Sequence, residues 1–372
     1  MTGTSIGPAG SRDPVTATNL QPGPTSVRPG ARRRRRRGLA LRIAGVVASL
    51  ATTFFGLLLV TFFIGRVVPI DPVLAVVGDR APRDVYEKAR LELGLDKPLW
   101  DQFARYAGDV LSGDLGTSVL TSRPVLEDIG RVFPATLELA TLGVLFGIVI
   151  GVPAGVMAAV NRDRWPDHLV RVVGLIGYSV PIFWLGLVGL LLFYAKLSWV
   201  AGPGRLDVFY DGLVDPVTGV ITLDAALAGE WEVFWNAIDH LLLPAALLGY
   251  YSLAYISRMT RSFMLDQLRQ EYVTTARVKG VSERAVIWRH AFRNIRVPLL
   301  TVVALSYAGL LEGAVLTETV FAWPGLGQYI TNSLLNADMN AVLGGTIVVG
   351  AVYIGLNMLS DLLYRVLDPR AR

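Results

Sequence analysis

The feature that most constrains this chain is a series of six long apolar runs. Each is about as long as the roughly 20 residues that a helix needs to cross the hydrocarbon core of a bilayer. The runs cover roughly residues 43–65, 136–160, 172–195, 238–257, 298–320 and 342–364. Backbone groups in lipid must satisfy their own hydrogen bonds, so runs this long and this uncharged are expected to be helical. The sequence therefore predicts an all-α membrane protein with six transmembrane helices.

The first run is too long for the apolar core of a signal peptide, and no small-residue cleavage site follows it. We expect it to be retained as the first span.

The motifs that commonly carry chemistry are missing from the sequence. There is no cysteine, so neither a thiolate metal site nor a cysteine nucleophile can form. No lysine follows a glycine as a phosphate-binding loop requires. His168, His240 and His290 have no metal-ligand spacing, and no nucleophile elbow appears. We expect no catalytic residue, no metal and no cofactor, and hence a protein that transports or senses rather than an enzyme.

Basic residues near the ends of the runs predict the orientation in the membrane. A run of six arginines within 31–38 precedes the first span, and further arginines occur in 161–171, in 258–297 and at the C-terminal end. The segment 321–341 has no lysine or arginine. These positions predict a multi-pass protein of the cell (plasma or inner) membrane with both termini in the cytoplasm.

The composition divides the chain into four parts. They are a disordered, Arg-rich cytoplasmic tail (1–38), the first span with a long extracytoplasmic segment (39–134), a five-helix core (135–366) and a cytoplasmic end (367–372). The arginine run is interpreted as an anchor on anionic lipid, each arginine contributing about 1 kcal/mol, or as a docking tail for a partner. It has no aromatic interleaving and no folded module behind it, which argues against nucleic-acid binding.

Small residues and prolines predict how the spans pack. Gly143, Gly147, Gly151 and Gly155 follow one another at intervals of four, which places them on one helix face. Such a face allows close approach of a second helix. Pro153 and Pro181 are expected to kink their helices.

Acidic residues in the spans are candidates for a functional path, because ionisable groups at membrane depth usually face a bundle interior or a water-filled cavity. Glu312 and Glu318 lie in or near the fifth run, and Asp361 lies near the end of the sixth. Glu312 and Glu318 are candidate lining residues of a translocation path. A structural polar contact is the alternative for Glu312, and an interfacial position is the alternative for Glu318 and Asp361.

The basic segment 271–298 separates the fourth and fifth runs. Its apolar residues recur at roughly helical spacing, and Gly280-Val281-Ser282 interrupts them. Gly280 is suited to end a helix, and Ser282 followed by Glu283 is suited to begin the next. An amphipathic helix lying on the membrane would explain the basic face but not the break. A helix–turn–helix that inserts into a protein cleft explains both.

The stretch TTARVKGVSERAVIWRHAFRNIRVPLLT (274–301) resembles the cytoplasmic signature loop of binding-protein-dependent ABC importer permeases of the dipeptide/oligopeptide class. Four further stretches resemble the same family in the same order: GDLGTSV (113–119), HLLLPAALL (240–248), ETVFAWPGLGQ (318–328) and LSDLLYRVLDPR (359–370). The resemblance covers roughly 39–370 and implies the type I importer architecture. It departs from the family pattern at Thr274, Val297-Pro298 and Glu312, where a glutamate, an earlier Leu-Pro and a small residue are expected.

The resemblance implies that the loop 258–297 couples the permease to an ATPase. The residues it assigns to this coupling are Thr275, Ala276, Lys279, Gly280, Val281, Ser282 and Glu283. It also implies a second homologous permease subunit, two ABC ATPase subunits that bind the ATP, and an extracytoplasmic solute-binding protein. The function expected is ATP-driven peptide import by alternating access.

Three alternatives stay open at this point. Nickel chelates, haem or another non-peptide solute could replace the peptide. A membrane sensor or scaffold would use the basic loop without transport. A secondary transporter would be expected to contain internal repeats, and none is evident in the sequence.

Overall fold

The computed structural model describes residues 30–67, 72–78, 80–92 and 94–367. Within these ranges the regular structure is helical, apart from one isolated bridge between Thr117 and Pro124. The predicted all-α class is therefore confirmed.

The α-helices of this part of the chain are, in order, α1 (Gly30–Val67), α2 (Pro72–Val77), α3 (Arg83–Glu92), α4 (Leu99–Leu111), α5 (Val125–Val160), α6 (Trp165–Ser179), α7 (Ile182–Gly189), α8 (Ile221–Ala228), α9 (Trp231–Leu268), α10 (Glu271–Val278), α11 (Glu283–Ala285), α12 (Phe292–Val320), α13 (Leu326–Leu335) and α14 (Met339–Leu367). A π-helical stretch, Leu190–Lys196, continues α7, and another, Val286–Ala291, joins α11 to α12. One 3₁₀ turn covers Val208–Tyr210.

Five helical stretches of the described chain are long and apolar enough to cross a membrane. They are Ala44–Arg66, Val125–Val160, Trp231–Leu268, Glu283–Val320 and Met339–Ser360. The third predicted span, 172–195, is instead a pair of helices, Trp165–Ser179 and Ile182–Lys196, bent by 100° at the break between them. Six spans result only if this bent pair counts as one.

Pro181 explains the break. It was expected to kink a continuous helix, but α6 ends two residues before it. The ring of a proline disfavours the helical region for the preceding residue, and Val180 accordingly adopts φ −99° and ψ 127°. Pro181 also lacks the N–H that would continue the helical hydrogen bonds. By contrast, α5 continues through Pro153.

Several helices extend well beyond their apolar runs. α9 reaches Leu268, and the rod formed by α11, the π-helical stretch and α12 begins at Glu283. The segment 258–297 was expected to be a cytoplasmic connection containing short amphipathic helices, and it is mostly helical. The charged residues that end an apolar run are good helix formers, so they prolong a helix already nucleated in the span.

Residues Met1–Ala51 and Thr52–Arg372 form two separate compact units. In the first unit, helix α1 begins at Gly30 and includes the arginine run. Arginine is a good helix former, which suits residues directly before a helical span, and the disorder predicted for 1–38 stays a prediction. Residues 1–29 and 368–372, which include most of the two predicted terminal segments, lie outside the described residues.

The core of the second unit lies where α5, α9 and α12 pack together. Its buried members include Leu139, Leu248, Val302 and Trp323. The four-glycine face of α5 lies against α9 in this core. A Cβ on Gly143 would be 2.9 Å from the Leu248 Cβ, and a Cβ on Gly155 would be 2.5 Å from the Ser257 carbonyl oxygen. The absence of side chains on this face lets the two helix backbones approach closely.

Candidate functional site

The basic segment folds as a helix–turn–helix. Helix α10 ends at Val278, and Gly280 adopts the left-handed conformation with φ +76°. The Gly280 N–H donates to the Arg277 carbonyl (2.9 Å) and the Val281 N–H donates to the Ala276 carbonyl (3.1 Å). These two bonds form a Schellman motif, which ends a helix most easily at a glycine. The break predicted at Gly280–Ser282 is confirmed.

Some residues that the resemblance assigns to coupling hold the turn together from inside. Ala276 is buried with Val273 and Val286, and Val281 packs partly buried against them. The Ser282 carbonyl accepts the Val286 N–H (2.9 Å) at the start of the next helix. Ala276 and Val281 therefore shape the turn from inside.

Another group faces solvent and forms what we call the turn surface: Tyr272, Thr275, Val278 and Lys279. Val278, at the end of α10, is 83% exposed. Sequence reasoning missed Val278. The one sequence feature that could have indicated its exposure is that position 278 does not share the helical spacing of the buried residues 273, 276 and 281. Next to this surface, Arg277 pairs with Glu283 (2.8 Å), both half-exposed. Whether the turn surface contacts an ATPase stays a prediction.

At the other end of the same rod, a second cluster surrounds what we call the exit turn, residues 318–328. Glu318 is fully buried. Its carboxylate accepts hydrogen bonds from the Thr136 hydroxyl (2.6 Å) and the Gln328 N–H (3.0 Å). The Thr136 oxygen in turn accepts the Leu326 N–H (2.8 Å). Glu318 and Thr136 thus satisfy free N–H groups at the start of α13, where a negative charge is favoured.

The glycines of the exit turn make this arrangement possible. A Cβ on Gly325 would overlap the Glu318 carboxylate, and a Cβ on Gly327 would be 2.5 Å from the Val315 Cα. The Trp323 ring nitrogen donates to the Ala135 carbonyl (3.0 Å) from a fully buried position. In this structure Glu318 is enclosed by protein, so its proposed place on a translocation path stays a prediction.

A buried ion pair lies beside the exit turn and was not expected from the sequence. Arg205 donates to Glu138 (2.6 Å) and to the Gly219 carbonyl (2.8 Å), and its guanidinium lies 5.7 Å from the centre of the Trp323 ring. Glu138 also accepts the hydroxyl and N–H of Thr222. The pair joins the segment before α8 to α5. The one sequence feature that could have indicated this ion pair is Glu138, a lone glutamate inside the second apolar run.

Glu312 is exposed and lines a cavity of about 410 Å³ with Phe133, Val349 and Tyr353. In the part of the chain that the structure describes, its carboxylate has neither a hydrogen bond nor an ion pair. It is not in contact with the enclosed Glu318 carboxylate, so the two path candidates have different surroundings. The side chain of Asp361 lies outside the described residues. Among those residues, no group of three or more His, Asp or Glu side chains is placed to hold a metal ion.

Together these features define a helical multi-pass membrane protein. In it, one continuous rod joins the exposed turn surface to the buried polar groups of the exit turn. Residues 151–372 match the family described as "Binding-protein-dependent transport system inner membrane component", and residues 39–140 match the N-terminal region of such components. The chain belongs to this family of binding-protein-dependent transport system inner membrane components. It is a permease component that works with other transporter subunits.

Proteins similar to this chain match it along most of its length. A probable D,D-dipeptide transport system permease protein of Escherichia coli (strain K12) is 46% identical over 90% of this chain and 94% of its own length. A di/tripeptide transport system permease protein of Pseudomonas aeruginosa (strain UCBPP-PA14) is 44% identical over 89% and 98%. A dipeptide transport system permease protein of Escherichia coli (strain K12) is 42% identical over 86% and 95%.

Among solved structures, a chain of the inward-facing MetNI methionine ABC transporter aligns with 63% of this chain and 93% of its own length. The two are 16% identical with a TM-score of 0.47, a likeness too weak to add to the assignment.

Proposed function

We propose that this chain is the transmembrane permease subunit of an ATP-driven importer of short peptides. The observation that carries the proposal is the agreement of its relatives: three permeases, 42–46% identical along at least 86% of this chain, are all named for dipeptide or di/tripeptide transport. The sequence has no phosphate-binding loop of its own. ATP is accordingly bound by partner subunits, and the permease itself is neither an enzyme nor a cofactor-binding protein.

The partners we propose are a second homologous permease, two ATPase subunits and an extracytoplasmic binding protein. The turn surface docks on an ATPase subunit, with Val278 entering an apolar cleft and Lys279 lying at its polar rim. Both termini then lie on the ATPase side, in the cytoplasm. The exit turn lies on the side where the binding protein delivers the peptide, and Glu312 lines the path between them.

The rod explains how motion would pass between the two ends. Glu283–Val320 is a run of 38 helical residues and is therefore about 57 Å long. The turn lies at one end, Glu312 within the rod and Glu318 near the other end. Because the turn is closed by backbone hydrogen bonds and a buried apolar cluster, a push on its surface is transmitted to the rod rather than absorbed by bending.

Gly280→Arg tests the coupling, with Gly229→Arg as the matched control. Both glycines adopt φ +76°, and neither has an atom within 4 Å of where a Cβ would lie. The two substitutions therefore introduce similar backbone strain and the same charge, one at the turn and one after α8. The measurement is uptake of a labelled dipeptide by cells that express the complete transporter, together with the amount of ATPase subunit that co-purifies with the permease.

We expect Gly280→Arg to lower uptake and ATPase recovery at least tenfold and Gly229→Arg to leave both largely intact. Undiminished uptake by a well-expressed Gly280→Arg variant would refute the coupling assignment alone. If the wild-type system accumulates a nickel chelate or haem but no peptide, the peptide assignment is wrong. If the wild-type permease purifies without any ATPase, the sensor interpretation is favoured instead.

A further inference from the structure

A cavity of about 490 Å³ lies between α6 and α9, away from the turn surface and the exit turn. Its walls carry the basic side chains of His168, Arg171, Arg258 and Arg261. The remaining lining is largely apolar, contributed by residues such as Leu175 and Ala254. A concentration of guanidinium groups in such a cavity favours the binding of an anion.

One of these cations is already neutralised within the chain. Arg261 forms a two-point ion pair with Asp167, with distances of 2.5 Å and 2.8 Å. Asp167 is fully buried and also accepts the N–H of Asp163. The Asp167 carboxylate is thus held by Arg261, and its two oxygens are occupied.

Arg171 and Arg258 are not neutralised in this way. In the part of the chain that the structure describes, neither forms an ion pair with a carboxylate. Arg171 follows Asp167 by one helical turn, so Asp167 lies in the field of both Arg171 and Arg261. The contacts of Arg258 are aromatic: its guanidinium lies 4.6 Å from the centre of the Tyr178 ring and 6.0 Å from that of Tyr255. Nη2 of Arg258 also donates to the Tyr178 hydroxyl (3.5 Å). Stacking of this kind orients a guanidinium and leaves its remaining N–H groups available to a ligand.

The surroundings of the cavity are those of a membrane interface. Trp165, at the start of α6, is 74% exposed, and Leu175, two turns past Asp167, is 66% exposed. Exposed tryptophans commonly lie at the headgroup level of a bilayer, and exposed leucines on a spanning helix face acyl chains. The basic side chains therefore lie between an interfacial marker and an apolar surface.

We propose that this cavity binds the headgroup of an anionic phospholipid, with Arg171 and Arg258 donating to the phosphate. Arginine forms two-point hydrogen bonds with phosphate, and basic pockets between membrane helices are suited to lipid headgroups. The acyl chain lies along the exposed apolar side chains of α6, beside Leu175. A soluble anion would leave that apolar surface uncovered, and a zwitterionic lipid would leave the charge uncompensated.

The test measures lipid retention by native mass spectrometry of the full chain in mild detergent. Phosphatidylglycerol and phosphatidylcholine with the same acyl chains are titrated against wild type, Arg171→Gln, Arg258→Gln and the double variant. Arg162→Gln is the control, because Arg162 lies before α6, is about half exposed and pairs with Asp163 outside the cavity. Each cavity arginine is expected to contribute about fivefold to the apparent affinity, and the pair about 30-fold.

We expect phosphatidylglycerol to be retained in preference to phosphatidylcholine, and the double variant to lose that preference while Arg162→Gln keeps it. An Arg171→Lys/Arg258→Lys variant preserves the charge and should retain most of the binding. If it retains the binding that the double Gln variant loses, the loss is caused by the missing charges and not by misfolding. Equal retention of the two lipids by wild type, or an unchanged preference in the double variant, overturns the proposal.

Two further arms exclude other occupants. Inorganic phosphate at millimolar concentration should not displace the lipid, and displacement would mark a general anion site instead. A photo-crosslinker at position 175 in the assembled transporter should label phospholipid. Labelling of a partner polypeptide alone would show that an acidic protein surface covers the arginines, and the lipid assignment would then be wrong.

Discussion

The close approach of α5 to α9 leads to a quantitative prediction for Gly155→Ala. A Cβ at this position would lie 2.5 Å from the Ser257 carbonyl oxygen and 2.7 Å from the Thr260 Cβ. The first distance is about 0.9 Å shorter than the 3.4 Å at which ordinary van der Waals contact begins. Because the nearest obstacle is the backbone of a helix, a side-chain rotation cannot relieve the overlap. The two helices must move apart where the glycine face of α5 contacts α9.

The size of the effect follows from two opposing contributions. Overpacking a well-packed core costs typically about 1–3 kcal/mol, and a backbone obstacle places this site at the upper end of that range. Replacing a helical glycine with alanine contributes about 1 kcal/mol in favour of the variant. We therefore expect Gly155→Ala to lower the free energy of unfolding by about 2 kcal/mol.

Gly130→Ala is the matched control. Gly130 lies in the same helix, and nothing is within 4 Å of the position of its Cβ. This variant should gain up to about 1 kcal/mol from helix propensity alone. Reversible unfolding in mixed micelles, followed by circular dichroism, measures both variants, and they should differ by about 3 kcal/mol. If Gly155→Ala is as stable as Gly130→Ala, α5 and α9 do not approach each other as closely as the structure places them, and the reasoning fails.

Two further predictions concern polar groups. Glu318→Gln replaces one accepting oxygen with a donor, so either the Thr136 hydroxyl or the Gln328 N–H loses its partner, at a cost of about 1–3 kcal/mol in the same unfolding experiment. The exposed Glu232→Gln should show no change, and equal effects would argue against the buried hydrogen bonds. Burial raises the pKa of Asp224, but hydrogen bonds from Thr218 and Gly219 outweigh it and hold the pKa below its ordinary value. Its stabilisation is therefore complete above about pH 4 and is lost as the pH falls further, so the difference in Tm between wild type and Asp224→Asn should shrink below that pH; a difference that stays constant or grows would contradict it.

Much of the fold follows from local pattern. Long apolar runs must be helical in lipid, because no other single-segment structure satisfies the backbone there. The break at Gly280–Ser282 could be predicted because a φ of +76° is easily reached by glycine and because serine favours the start of a helix. The glycine spacing of α5 could be predicted to form a packing face for a similar reason: residues four apart lie on one side of a helix.

Local pattern failed where a long-range contact or a competing local effect decided the outcome. The sequence alone predicted a kink at Pro181 and short helices within 258–297, but not the 100° bend or the extension of α9 and the rod beyond their apolar runs. The role of Glu318 depends on Thr136, which lies 182 residues away in the chain. No spacing rule joins residues so far apart, because their meeting results from the packing of whole helices.

The amino-acid sequence by itself thus determined that the long apolar runs are helical, where the exposed turn breaks and which family the motifs resemble. These properties depend on neighbours within a few residues, which set backbone geometry and the apolar length of a segment. Only the tertiary structure decided that Ala276 faces inward while Val278 faces out, and that Glu318 is enclosed while Glu312 is exposed. It also brought Arg171 and Arg258, on separate helices, to a single cavity. The burial of a side chain depends on what packs against it, and that is a property of the assembled helices.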